Sequence, residues 1–249
     1  MKNGTLYAKR VKRAFAKLKN EHGVPDMPEP SNPIDQLIIG LLSVDAAGSR
    51  AVRAATTLKD AMVDINEVRV STSAEISAAI GSTVPNSLVR ADAVRRALNA
   101  VYRKEHAVTL DHLHKAGRRD AKHYLEALDG VDHCAAASVL LWSLGGHAIP
   151  VDQRMYEALR KDDLVEPSAS VAEVQAFLER NIGATDAKAF CLLMQKFTPT
   201  KGQRSGGAPS GKSASSRKPK SKPTGRSPAV TKKAARKPAT KRTKRTVSP

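Results

Sequence analysis

An all-α domain followed by a disordered basic tail is the architecture this sequence predicts, and three observations carry it. Apolar residues recur three and four positions apart through most of the first 198 residues, the spacing that puts them on one face of a helix. Alternating apolar and polar residues, the mark of a half-buried strand, are nearly absent. The polar stretches between the periodic segments are short, so the amphipathic stripes must bury against one another.

The elements follow in order. Over Thr5 to Glu21, Leu6, Val11, Phe15 and Leu18 form an apolar stripe among Lys9, Arg10, Lys12, Arg13, Lys17 and Lys19, an amphipathic basic helix. The turn-rich stretch from Gly23 to Asn32 ends it, and Ser31 or Asn32 before Pro33 starts a second helix. That helix carries Ile34, Leu37, Ile38, Leu41 and Leu42 nearly all round, which makes it central. Helical spacing continues at Arg50 to Met62, Ser73 to Ile80, Leu88 to Arg103, Leu110 to Lys115 and Asp120 to Leu128. Further helices are predicted at Cys134 to Leu144, Asp152 to Lys161, Val171 to Asn181 and Asp186 to Phe197. No internal repeat is found.

Charge divides the chain at the same place. The sequence has 42 basic and 24 acidic residues, net +18. Residues 199–249 hold 16 of the basic residues and none of the acidic ones, leaving 26 against 24 in the body. The tail also holds 7 of the 14 prolines and no Phe, Tyr or Trp, so it cannot bury enough area to offset its chain entropy. We therefore expect a helical domain over 1–198 and a disordered polycation over 199–249. Its runs include Lys218-Pro219-Lys220 and Lys232-Lys233-Ala234-Ala235-Arg236-Lys237. A solubilising tail is one reading. DNA binding is the other, because each phosphate neutralised by Lys or Arg releases condensed counterions, and such binding is blind to sequence.

Two cysteines, Cys134 and Cys191, and the lack of a signal-peptide pattern lead us to expect a reducing cytoplasm. The longest purely apolar run, Leu37 to Leu42, is interrupted by Gly40 and falls far short of the roughly 20 residues that cross a bilayer. A membrane-spanning protein is excluded. The histidine pairs His112/His114 and His123/Tyr124 bring no metal-ligand set with them and read as surface or packing residues, and Trp142, among Leu140, Leu141 and Leu144, reads as core.

The stretch Leu128-Asp129-Gly130-Val131-Asp132-His133-Cys134-Ala135-Ala136-Ala137-Ser138-Val139-Leu140-Leu141, followed by Ile149-Pro150-Val151-Asp152, carries the chemistry. Gly130 permits a tight turn with exposed backbone N–H groups. The helix after it contributes the positive end of its dipole, so the turn can hold a DNA phosphate. Ala135 to Ala137 allow close helix packing. A buried extended step then leads to the carboxylate of Asp152.

This text resembles the helix-hairpin-helix Gly/Pro/Asp superfamily of DNA glycosylases, and within it endonuclease III. The family's hairpin reads Leu-Pro-Gly-Val-Gly-x-Lys-Thr-Ala and its catalytic step Val-Asp-Thr-His, matched here by Leu128 to Ala136 and by Val151-Asp152-Gln153-Arg154. Ser31 to Ser43 is similar to the family's Pro-x-x-x-Leu-(apolar)-Leu-Ser helix. The order and spacing of the three elements cover most of residues 4 to 198. The resemblance implies a two-lobed, base-flipping enzyme acting as a monomer on double-stranded DNA in the cytoplasmic nucleoid. In such an enzyme a carboxylate stabilises positive charge on the sugar and orients water as the N-glycosidic bond breaks. Asp152 is matched to that role; it also suits the N-cap of the helix beginning at Gln153.

Departures from the family pattern modify the expectation. Bifunctional members carry a Schiff-base lysine where this chain has Cys134, and a thiol forms no imine; an active enzyme would be monofunctional. Cys134 reads either as a wall of the base pocket or as a small apolar residue at a helix start. Asp132 replaces the hairpin's second glycine, which would strain the backbone at positive φ and set a carboxylate near the phosphate. His133 reads as a phosphate donor or as a solvated residue. The family's iron-sulfur cluster needs four cysteines, and this chain has 2, so no cluster can form; a monovalent cation at the hairpin is the remaining cofactor the resemblance allows. Two loops of the family face DNA, matched here near Val44-Asp45 and Asn86-Ser87-Leu88. Asp45 reads as a pocket residue or a helix cap, Leu88 as a wedge or as core. The competing function is a non-catalytic architectural protein that coats or compacts DNA; a scaffold without nucleic acid finds no support in so basic a tail.

Overall fold

The computed structural model describes residues 3–44 and 46–197; Asp45 and the tail runs at Lys218, Lys220, Lys232, Lys233, Arg236 and Lys237 lie outside the described residues. Within them are eleven α-helices, one 3-10 helix and no strand. In order they are α1 (Gly4–His22), α2 (Pro33–Ser43), α3 (Gly48–Ala61), α4 (Ile65–Val70), α5 (Ser73–Ile80) and α6 (Ser87–Glu105). The 3-10 turn (Asp111–Lys115), α7 (Arg118–Glu126), α8 (His133–Trp142), α9 (Gln153–Lys161), α10 (Val171–Asn181) and α11 (Ala184–Phe197) complete the domain.

Two helical lobes share one continuous apolar core. In the first, α2 packs on α3, α6 and α8, α5 lies between α3 and α6, and α7 pairs with α8. In the second, α1 lies on α10 and α11, and α9 on α10 and α11. Contact between α8 and α11 joins the lobes.

The α2–α8 crossing shows how sequence sets that geometry. A Cβ placed on Gly40 would sit 3.0 Å from the Ala135 Cα and 3.2 Å from the Ser138 Cβ. Glycine on one helix and alanine on the other thus bring the backbones close, where interiors tolerate little added volume. Polar groups trapped at the crossing satisfy one another. Ser31 Oγ donates to Gln36 Oε1 at 2.8 Å, and Gln36 Nε2 donates to Ser138 Oγ at 2.8 Å. Asn32 caps α2 by accepting from the Ile34 N–H at 2.9 Å, with Pro33 at the first helical position, as the sequence suggested.

Two elements depart from the sequence reading. Leu110 to Lys115 forms a single 3-10 turn over Asp111–Lys115 rather than an α-helix, with Leu110 buried before it and Leu113 within it. The short helix α4 was not foreseen, because one buried residue, Val68, gives no measurable period. Its signal lay in the cap: Asp64 accepts from the Glu67 N–H at 2.9 Å, and the Glu67 carboxylate turns back to the N–H of Val63, the residue before the cap.

Candidate functional site

The hairpin between α7 and α8 is fixed by steric fit and by charge. Leu128 C=O accepts from the Val131 N–H at 3.2 Å, closing a tight turn in which Gly130 has φ +85°. A Cβ on Gly130 would lie 2.7 Å from the Ala93 carbonyl oxygen and 3.2 Å from the Ala97 nitrogen of α6. Glycine is therefore needed twice, for the left-handed backbone and for the close approach. The neighbouring Asp129 is held by Arg96 at 2.8 Å, whose guanidinium also binds Asp92 at 2.9 Å, so the turn is strapped to α6.

Asp132 corrects the expectation of strain. Its φ is −94° and ψ 169°, ordinary extended backbone, and its Oδ1 accepts from the Ala135 N–H at 2.8 Å. The residue in the family's second-glycine position is the N-cap of α8 and needs no positive φ. The acid following the turn is thereby tied to backbone dipole instead of being left to repel a phosphate. His133, exposed at the first position of α8, places its Nδ1 2.9 Å from Glu126 Oε1 at the end of α7, a link between the two hairpin helices. Lys122 lies 3.9 Å from the same carboxylate oxygen. All three acids around the hairpin, Glu126, Asp129 and Asp132, have partners of their own, and Val131, half-buried, packs against the core.

Asp152 stands at the equivalent place on the next helix. With φ −82° and ψ 168° it caps α9, its Oδ1 accepting from the Met155 N–H at 2.6 Å. The step leading to it is buried at Ile149 and Val151 and makes no ladder. The cap reading of Asp152 is therefore true, and it holds the carboxylate, half-buried, at the junction of the lobes.

The two cysteines mark that junction. Cys134 begins the buried face of α8 and Cys191 lies in the middle of α11; both are buried free thiols. Burial pushes the Cys134 thiol well above its ordinary range, and Asp132, Asp152 and Cys191 add to the shift in that order. Burial likewise raises Cys191, with Asp152 as the second cause. Helix α11, which carries Cys191, packs on both α8, which carries Cys134, and α9, which Asp152 caps; Asp132 is two residues before Cys134. Neither thiol is a nucleophile in this setting, because the thiolate is the reactive form. Cys134, at 8% exposure, is a small apolar member of the site rather than an open pocket wall.

The loop residues separate. Leu88, in the first turn of α6, is 56% exposed and its neighbour Val89 59%, so Leu88 is not core and the wedge reading survives. Asn86, exposed, sits at the N-cap of α6 in left-handed conformation with φ 53° and no side-chain cap bond. The N-cap of α3 is Ala47, also without a side-chain cap. Across from that start, a Cβ on Gly48 would meet Gln195 Oε1 of α11 at 2.8 Å, so the start of α3 borders α11, the helix that bears Cys191. Trp142 is only partly buried: it packs on the core and carries the Lys188 ammonium 5.9 Å from its ring centre. His112 stacks edge-on against Tyr124, whose hydroxyl donates to Glu105 at 2.6 Å, a packing role.

Sequence reasoning missed Arg96. Nothing in the primary structure pairs it with Asp129, 33 positions away; only the packing of the hairpin on α6 does so.

Helical, two-lobed and built around a hairpin that precedes a capped aspartate, the domain has the fold of the helix-hairpin-helix DNA glycosylases. Among solved structures, a non-covalent endonuclease III–DNA complex superposes with TM-score 0.60 at 18% identity, covering 76% of this chain and 85% of that one. A Clostridium acetobutylicum 8-oxoguanine glycosylase/lyase bound to double-stranded DNA gives 0.59 at 14%, covering 78% and 70%. A thermostable thymine-DNA glycosylase gives 0.56 at 15%, covering 78% and 87%. At such identities the likeness speaks for the fold. No family model matches the sequence, and no curated protein is significantly similar to it.

Proposed function

We propose that this chain is a monofunctional DNA glycosylase of the base-excision type, which hydrolyses the N-glycosidic bond of a damaged or mismatched base in duplex DNA. The observation that carries the reading is the pairing of two anchored features across the lobe junction. One is a glycine turn whose surrounding acids are all engaged; the other is a carboxylate fixed at a helix N-terminus beside the first buried residue of the hairpin's second helix.

The chemistry follows from those groups. The turn and the N-terminus of α8 grip one phosphate. Leu88, exposed at the start of α6, fills the space vacated by an everted nucleotide. Asp152 faces the sugar, where its negative charge stabilises the cation that develops as the base departs, and it orients the water that completes hydrolysis. With the buried Cys134 in the family's lysine position no Schiff base forms there, so the abasic strand is left intact. Two cysteines cannot supply the four thiolates of an iron-sulfur cluster, and no step depends on one. The partner is double-stranded DNA, bound by a monomer in the nucleoid, with the basic tail supplying sequence-blind affinity.

The test is base release from duplexes carrying a panel of lesions and mismatches, with borohydride trapping in parallel. Release from at least one substrate without a trapped covalent adduct supports the reading. Duplex binding with no release from any substrate would favour the architectural alternative, and a trapped adduct would contradict monofunctional chemistry.

A further inference from the structure

The described surface carries a second concentration of positive charge, on α1, that the proposed reaction does not use. Its buried stripe, Val11, Phe15 and Leu18, faces α10 and α11, and the opposite face exposes Lys9, Arg10, Lys12, Arg13 and Lys17. Part of this charge is already engaged. Lys19 pairs with Asp186 at 2.6 Å, Lys17 lies 3.7 Å from Glu21, and Arg10 and Arg13 border a depression that includes Asp162 and Asp163.

The other side of α1 differs. Between α1 and the end of α10 lies a cleft of about 580 Å³ bordered by Thr5, Lys9, Lys12, Phe177, Arg180 and Asn181, with no carboxylate among the described residues that line it. Arg180 Nε donates to the Ala176 carbonyl at 3.1 Å, and Asn181 Nδ2 to the Phe177 carbonyl at 2.8 Å, which fixes the direction of both side chains along the rim. Three cations around a carboxylate-free depression suit an anion. Lys9 and Lys12 stand about 4.5 Å apart along the helix at the usual rise, close to one phosphate step of a DNA strand, with Arg180 across the cleft from them.

The hairpin is elsewhere. It is strapped to α6, and α10 separates it from the cleft: Phe177, Arg180 and Asn181 line the cleft, while Glu179, on the opposite face of the same helix, lies 3.9 Å from Lys122 of α7. We propose that the α1–α10 cleft binds the phosphate backbone of a second duplex while the hairpin holds the first, so that one molecule bridges two DNA segments. The inference rests on the proposed binding of a duplex at the hairpin and goes beyond it.

The experiment uses the full chain and its K9E/K12E/R180E variant; all three side chains are exposed, so the thermal melt serves as a control and is expected to be unchanged. Affinity for one labelled duplex is measured by anisotropy. Bridging is measured as capture of a labelled duplex by protein held on a saturating immobilised duplex. Capture is expected to fall at least tenfold while affinity for the single duplex stays within about twofold. Raising salt from 50 to 200 mM should weaken capture about fortyfold more in the parent chain than in the variant, the difference of three phosphate contacts. Unchanged capture would overturn the inference, as would an equal loss of single-duplex affinity, which would make the cleft part of the first interface. Absence of single-duplex binding by the parent chain would instead strike at the hairpin reading itself.

Discussion

Asp132 and Asp152 are nearly the same residue locally. Each caps a helix from extended backbone, with φ of −94° and −82°, and each accepts from an N–H three positions on, at 2.8 and 2.6 Å. What separates them is where their helices stand. Both are half-buried, but Asp132 closes the hairpin turn and acts on Cys134 alone of the two thiols, whereas Asp152, capping a helix that packs on α11, acts on both Cys134 and Cys191. A capping bond, worth about 0.5–2 kcal/mol wherever it occurs, therefore does not distinguish a structural acid from a chemical one; surroundings do.

The most severe way to break the comparison is to remove the turn that leads into the first cap. Gly130→Ala forces a side chain onto left-handed backbone and against the Ala93 carbonyl. It should cost about 3 kcal/mol in denaturant unfolding and lower duplex affinity severalfold. A stable, tight-binding variant would mean the turn is not the anchor.

Alkaline pH probes the thiols that distinguish the two acids. Both cysteines have folded-state pKa values above the ordinary 9.0, so the unfolded chain releases these protons first. Their contribution is whole below pH 9 and is lost as pH rises beyond it, at about 1.4 kcal/mol per unit for each fully differential group. The double variant Cys134→Ala/Cys191→Ala should show a shallower decline in stability between pH 9 and 10 than the parent, measured by urea unfolding at each pH. Equal slopes would place the thiols in water.

Smaller effects sharpen the contrast. Alanine at Asp132 or at Asp152 should destabilise by about 1 kcal/mol each, the loss of a cap, and by similar amounts in thermal melts. Arg96→Ala frees Asp129 at the hairpin; since both partners are about half exposed, stability should change by less than about 1 kcal/mol. Duplex affinity should nevertheless fall a few-fold, through the uncovered carboxylate beside the phosphate grip.

Much of the helical order could be read in advance because it is written in local terms. Ser73–Ile80 and Val171–Asn181 appear where their spacing puts them, and the structure adds a capping box to each, at Thr72 and Ser170, that was also written in adjacent residues but not read. Gly130 and Asp152 stood out because a turn and a cap are properties of adjacent residues. The strain assigned to Asp132 failed for the opposite reason: its backbone angle was taken from a glycine it replaces, while the side chain recruits the α8 N-terminus and settles in extended geometry. The Arg96–Asp129 strap, the meeting of Cys134 with Cys191 and the cleft between α1 and α10 are long-range products of packing, and no spacing along the chain encodes them.

The central claim is tested most directly by base release in single turnover from Asp132→Asn and Asp152→Asn, measured beside the parent chain. Asparagine caps a helix about as well as aspartate, so both variants should fold and bind duplex like the parent. Release should survive in the first and fall at least about a hundredfold in the second, the scale of losing one charge-stabilising group at the reacting centre. Equal release by the two variants would show that Asp152 is a helix cap and nothing more.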